Sequence, residues 1–155
     1  MSEFVKSLSW SVKSFEALSK KELHDLLQLR VNIFVVEQDC PYPEIDGKDP
    51  ECYHVMGKSQ DDSMIAVARI APAGIIYDEI SIGRVVTRKS FRRKGLGVAL
   101  MQHSILFCKE NLEGKSIKIA AQKYLEKFYS DLGFKTISDV YLWDGIEHVD
   151  MRIMI

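Results

Sequence analysis

The segment from Ser81 to Leu112 constrains this chain most. A β-branched run, Ile82-Gly83-Arg84-Val85-Val86-Thr87, leads into the cluster Arg92-Arg93-Lys94-Gly95-Leu96-Gly97, and a long apolar-striped stretch follows. A strand that turns through a basic, glycine-containing loop into a helix builds an anion site. The first amides of the helix have no acceptor within it and carry the positive end of its dipole. Glycines in the turn let anionic oxygens approach the backbone, and three consecutive cations add charge. Two nucleotide motifs are weakened by what the loop lacks. A P-loop needs Gly-Lys-Ser/Thr to set a hydroxyl on Mg²⁺, whereas Gly97 is followed by Val98-Ala99. A dinucleotide fingerprint needs a third small residue three positions after Gly97, where Leu100 stands, and it usually opens a fold rather than lying past its midpoint.

Periodicity places this segment in a larger plan. Leu8 to Phe15 alternates apolar and polar residues, the strand period. Ser19-Lys20-Lys21-Glu22 reads as a capping box that opens a helix with Leu23, Leu26, Leu27, Ile33 and Phe34 on its buried stripe, ending near Glu37 to Asp39 before Pro41. Tyr53 to Gly57 and Met64 to Ile70 read as paired strands, followed by a strand over Ile80 to Thr87 and a helix from Gly95 to Asn111. On that helix the stripe Val98, Met101, Ile105, Cys108 and Leu112 should be buried, widened by Leu96, Leu100 and Phe107. Ile117 to Ala121 is another buried strand, and Leu125, Phe128, Tyr129 and Leu132 form one face of a helix closed by Gly133. Two last runs, Lys135 to Trp143 and Ile146 to Ile155, should form a hairpin through Asp144-Gly145. The expected class is α/β (α+β): a mixed, mostly antiparallel sheet flanked by helices.

A length of 155 residues with 46% apolar content suits one domain over residues 1–155. A formal charge of −1 gives no general attraction to nucleic acid or to an anionic membrane. Met1 to Lys6 lacks the basic lead and apolar core of a secretory signal, and no stretch approaches ~20 apolar residues, so a cytoplasmic protein is expected. Cys40, Cys52 and Cys108 lack C-x-x-C spacing, which favours reduced thiols. His54 near Cys52 is a poor basis for metal, and no metal is expected.

The pattern Arg92-x-x-Gly95-x-Gly97 resembles the pyrophosphate loop of the GCN5-related N-acetyltransferases, the acetyl-CoA-dependent GNAT family. Its context strengthens the likeness. The family places this loop between its fourth strand and third helix, then adds a fifth strand and a helix with a tyrosine just before a Gly-Phe pair. Ser116 to Ala121 and Lys127-Phe128-Tyr129-Ser130-Asp131-Leu132-Gly133-Phe134 stand in those places. The stretch Arg30 to Asp49 is similar to the signature of the ElaA-like branch. The resemblance implies a GNAT-type fold and transfer of an acetyl group from acetyl-CoA to a small-molecule or peptide amine. Neither nucleic acid nor membrane is expected as a partner, and the protein would be a monomer or homodimer.

The residues can be matched to that chemistry. Backbone amides and side chains over Arg92, Arg93, Lys94, Gly95, Leu96, Gly97 and Val98 would meet the negative charges of CoA, the alternative being a solvated basic helix start. In the family the fourth strand splays from the fifth and offers its edge to the pantetheine amides; Val85, Val86 and Thr87 correspond to it. A backbone N–H near Val85 would polarise the thioester carbonyl. Tyr129 stands at the family's general-acid position, where a phenol protonated at pH 7 can serve the departing thiolate; otherwise it completes an apolar stripe. An amine of pKa about 10.4 must lose a proton before attack, at a cost of roughly 4 to 5 kcal/mol at pH 7. Family members often carry an acid for this on the fourth strand; here the nearest acids are Asp78 and Glu79, at or before its start, which otherwise solubilise a turn, and Glu37, Glu44, Asp46 and His54 are candidate bases outside the strand. Glu37, Glu44, Asp46 and His54 are the acceptor-side candidates. The acidic loop after Cys40 would suit a cationic acceptor, or is an ordinary acidic turn. A catalytically silent acyl-CoA-binding module is the alternative to an enzyme.

Overall fold

The computed structural model describes residues 2–92 and 95–155. Its eight strands form one sheet: β1 (Ser9–Ser14), β2 (Tyr53–Lys58), β3 (Met64–Ala71), β4 (Ile80–Thr87), β5 (Ser116–Gln122), β6 (Lys135–Thr136), β7 (Tyr141–Trp143) and β8 (Ile146–Met154). The order is β1-β2-β3-β4-β5-β8-β6, with β7 also on β8, and β4 with β5 is the parallel pair. A parallel neighbour requires a long crossover, which α3 (Leu96–Asn111) supplies. The other helices are α1 (Glu3–Lys6), α2 (Lys20–Val31) and α4 (Glu126–Asp131).

The capping box expected at Ser19 is present: its hydroxyl accepts from the Glu22 N–H at 3.0 Å, and Glu22 accepts from the Ser19 N–H at 2.9 Å. Past Val31, α2 widens into a π-helical turn over Asn32–Glu37. Leu26 and Leu29 of α2 pack with Met56, Val67 and Val86, while Leu96, Leu100, Met101 and Cys108 of α3 pack with Ile65, Ala68 and Ile82. Neighbouring residues of β3 and β4 thus feed two cores on opposite faces, which is why β3 is buried along its whole length.

Two expectations need correction. Val98 is 36% exposed and lies off the buried stripe, which runs instead through Leu96, Ala99, Leu100, Met101, Ser104 and Cys108. Ser104 is tolerated there because its hydroxyl donates to the Leu100 carbonyl at 2.8 Å. The run Lys135 to Trp143 is two short strands, not one. Ser138 interrupts it, its hydroxyl accepting from the Asp150 N–H at 2.8 Å in place of a ladder bond. The hairpin turn itself forms as expected, with Asp144 at φ 50° and Gly145 at φ 76°, the left-handed pair of a tight turn.

The feature that positions the site is a bulge in β4. Val67 pairs with Val86 and Arg69 with Gly83, so three steps on β4 face two on β3. Arg84 takes up the extra residue at φ +51°. The bulge bends β4 away from β5, and the two strands pair only at Ile80–Ile117 and Ser81–Lys118 before separating.

Candidate active site

The separation of β4 from β5 opens a cleft of about 1300 Å³. One wall is β4 from Gly83 to Thr87 and the other is Ile119, Ala120 and Gln122 of β5; Gly95, Leu96, Gly97 and Val98 also line it. Beyond Ser81 the β4 edge that faces β5 has no strand partner among the described residues, so its backbone N–H and C=O groups can meet a chain of amides. At the start of α3, Gly95 is the N-cap at φ +77°, a conformation glycine adopts without strain. Among the described residues the first N–H to find a helical acceptor is that of Ala99, on the Gly95 carbonyl at 3.2 Å, and the amides of Leu96, Gly97 and Val98 have none. A Cβ on Gly97 would come within 3.3 Å of the Phe128 ring, so glycine lets the start of α3 pack closely against α4. Expected contributions from Arg93 and Lys94 lie outside the described residues.

Tyr129 reaches the same cleft from α4. Its ring is buried and held edge-on by Phe128 at 5.0 Å and Phe134 at 5.9 Å. Among the described residues its hydroxyl has no hydrogen-bond partner, so the carbonyl cap expected of a purely structural tyrosine is not there. Burial pushes the phenol's pKa up, which keeps it protonated at neutral pH. Arg92 also lines the cleft and forms a two-bond ion pair with Glu37, at 2.9 and 2.6 Å, on the surface. The Arg92 hydrogen bonds hold the Glu37 carboxyl below its usual pKa.

The acidic loop behaves differently from the expected acidic wall. Arg30 of α2 is 1% exposed and donates to Glu44 Oε2 at 2.7 Å and Asp49 Oδ1 at 2.8 Å. Arg69 of β3 donates to both Asp46 oxygens at 2.8 and 2.9 Å and to Asp49 at 3.2 Å. Arg84 from the bulge lies 2.5 Å from Glu44 through Nε, a charge contact without hydrogen-bond alignment, and its Nη2 donates to the Glu44 carbonyl at 3.0 Å. The three arginines therefore neutralise the three carboxylates. Burial alone would raise the Asp46 carboxyl, but the Arg69 hydrogen bonds, the Lys48 N–H and the nearby guanidinium charges outweigh it and hold the pKa at about 2. The network ties the loop after Cys40 to the sheet.

Of the sequence-level candidates, Val85, Val86, Thr87, Arg92, Gly95, Leu96, Gly97, Val98, Tyr129, Glu37 and Asp46 line the cleft. Three others do not. Glu79 is held outside it by Arg152 through two bonds of 2.7 Å and by the Ser116 hydroxyl at 2.6 Å. Those bonds, against a smaller effect of burial, lower its pKa to about 2, so both position and affinity for a proton disqualify it as the base. Glu44 is buried beneath the cleft in the arginine network. His54 is 2% exposed with Nε2 3.0 Å from the Asp49 carbonyl, a core residue rather than an acceptor contact. Sequence reading passed over Arg69, Arg84, Tyr42, Tyr77, Trp143 and His148, all of which line the cleft. Arg69 and Arg84 carried a usable signal, since each is a lone charge inside an apolar strand.

Comparisons with known proteins agree with this geometry. The acetyltransferase (GNAT) domain family matches residues 36–155. A UPF0039 protein of Schizosaccharomyces pombe is 39% identical over 95% of this chain and 97% of its own length. Protein ElaA of Escherichia coli is 36% identical over 93% of this chain and 95% of its own. Among solved structures, an acyl-CoA N-acyltransferase from Pseudomonas aeruginosa superposes with a TM-score of 0.89 at 37% identity, covering 95% of this chain and 99% of that one. Escherichia coli ElaA gives 0.88 at 34% identity, covering 94% and 99%. The splayed strands, the glycine turn and near-full-length likeness lead to one assignment: this chain belongs to the GNAT family of acyl-CoA N-acyltransferases, with the ElaA and UPF0039 proteins as its relatives.

Proposed function

We propose that this protein transfers the acetyl group of acetyl-CoA directly to the amine of a small-molecule or peptide acceptor, both substrates being bound at once. The observation that carries the reading is the convergence, in one cleft, of a β4 edge, the first amides of α3 and the Tyr129 hydroxyl, none of them with a partner among the described residues. The amides of Leu96, Gly97 and Val98 with Arg92 would hold the pyrophosphate, and the β4 edge from Val85 to Thr87 would hold pantetheine. A β4 N–H near the bulge would stabilise the oxyanion as the amine adds to the thioester carbonyl. Collapse of that intermediate breaks the C–S bond, and Tyr129 gives its proton to the departing thiolate.

Thiol release from acetyl-CoA across a panel of amines tests the reading. Turnover should fall roughly 100-fold or more in Tyr129→Phe while CoA binding by calorimetry persists. A folded Arg92→Glu/Arg93→Glu variant that binds CoA as tightly as wild type would break the assignment of the loop. The second reading, a silent acyl-CoA-binding module, draws support from the arginine pairing of Glu37, Glu44 and Asp46. Tight CoA binding without turnover of any amine would establish it.

A further inference from the structure

The acceptor amine must lose a proton, yet the carboxylates expected to help are held by guanidinium groups. Another side chain that lines the cleft is free for the task. His148 of β8 has Nδ1 2.7 Å from the Ile146 carbonyl. A carbonyl can only accept, so Nδ1 carries the hydrogen and the neutral ring presents Nε2 as a bare lone pair. Nε2 has no partner among the described residues and is not sealed from solvent. The ring is fixed by Tyr141, stacked at 6.0 Å, and by Trp143 at 5.6 Å.

The ladder brings this imidazole to the cleft that the β4 edge opens on. Past their last pair, Ser81 and Lys118, β4 bulges at Arg84 and presents Val85, while β5 runs on to Gln122, which lies opposite His148 in the β5–β8 ladder. Val85, Gln122 and His148 all line the cleft. We infer that His148 is the general base for the acceptor amine, an inference that rests on the transferase reading. Nε2 takes a proton from the ammonium form of the acceptor, and the freed lone pair forms the C–N bond to the acetyl carbonyl. The C–S electrons leave with the thiolate and Tyr129 supplies the thiol proton; the adduct nitrogen gives up its second proton through solvent to restore the Tyr129 phenol, and the imidazolium returns its own to water.

The surrounding groups leave His148 this role. The Tyr141 hydroxyl donates to Asp150 at 2.5 Å, and Lys118 lies 3.7 Å from the same carboxylate. Gln122 is neutral and bonded to Gln38 at 3.3 Å; the Asp144 carbonyl accepts from the Cys40 thiol at 3.5 Å, and Asp144 lines the cleft beside Trp143.

The test compares two nucleophiles with acetyl-CoA: the primary aliphatic amine of the panel that turns over fastest, and methoxyamine, which is unprotonated at neutral pH and needs no base. The variant is His148→Asn, whose side-chain amide can still donate to the Ile146 carbonyl. Turnover of the aliphatic amine should fall roughly 100-fold or more, turnover of methoxyamine by no more than roughly twofold, with CoA binding unchanged. Equal losses with both nucleophiles, or none with either, overturn the base assignment and leave the transferase standing. Should His148→Asn fail to bind CoA, His148→Gln is judged by the same ratio. A wild-type protein that binds acetyl-CoA but releases thiol with neither nucleophile overturns the transferase reading and the base with it.

Discussion

Two sets of guanidinium–carboxylate pairs border the cleft, and they differ in what surrounds them. Arg30, Arg69 and Arg84 hold Glu44 and Asp49 almost out of reach of water, with the Arg30 and Glu44 side chains only 2% and 3% exposed, and Asp46 closes this set at its rim, 26% exposed. Arg92 and Glu37 form an equally well-aligned pair on the surface, 38% and 28% exposed. In the buried set each charge depends on the others, since removing one leaves its partner stranded in a poor dielectric. On the surface water and salt stand ready to replace either member, and the net worth of such a pair is about 1 kcal/mol or less. Similar bonds therefore do different work. The buried set fixes the loop after Cys40 against β3 and the bulge, while the surface pair holds Arg92 only as firmly as water and salt allow.

The largest effect that would break this contrast is on stability. Arg30→Met should lower the unfolding free energy by about 3–5 kcal/mol in denaturant titration, because Glu44 and Asp49 lose a shared buried partner. A loss under 1 kcal/mol would place the buried set in the surface class. Acid should next dissolve the network from its more exposed end. The Asp46 carboxyl is lower in the folded protein, about 2 against 3.8, so its contribution is complete above the unfolded value and lost as pH falls through the folded one. Stability followed by circular dichroism should drop between about pH 4 and 2, and Asp46→Asn should flatten that drop. Affinity for CoA probes the surface pair. Arg92→Gln should weaken binding roughly tenfold by calorimetry, with little change in melting temperature. The smallest effect is expected of Glu37→Gln, which frees Arg92 and removes a negative charge near the phosphates. CoA binding should tighten roughly two- to threefold, less so at high salt.

Much of the frame was legible in the chain because it depends on neighbours in sequence. The capping box needs Ser19 and Glu22 only, and the hairpin needs Asp144 and Gly145 in left-handed geometry. The strand over Ile80–Thr87 and the glycine turn before α3 follow from β-branched residues and from a φ that suits Gly95. Residues that line the cleft were legible where a backbone pattern announced them, as at Gly95 to Val98 and at Tyr129. They were not legible where a side chain's role is set by a distant partner. Glu79 reads as a strand-end acid until Arg152, 73 residues on, closes over it. Glu44 and Asp46 read as an exposed acidic turn until arginines from α2, β3 and the bulge meet them.

Local order, strand identity and the glycine turn that opens α3 were thus determined by the sequence alone, since propensity, capping and periodicity act over a few residues. Only the tertiary structure decided which charges are spent on architecture and which face the cleft. That choice depends on burial and on pairs brought together across the sheet, and neither is a property of any short stretch of chain.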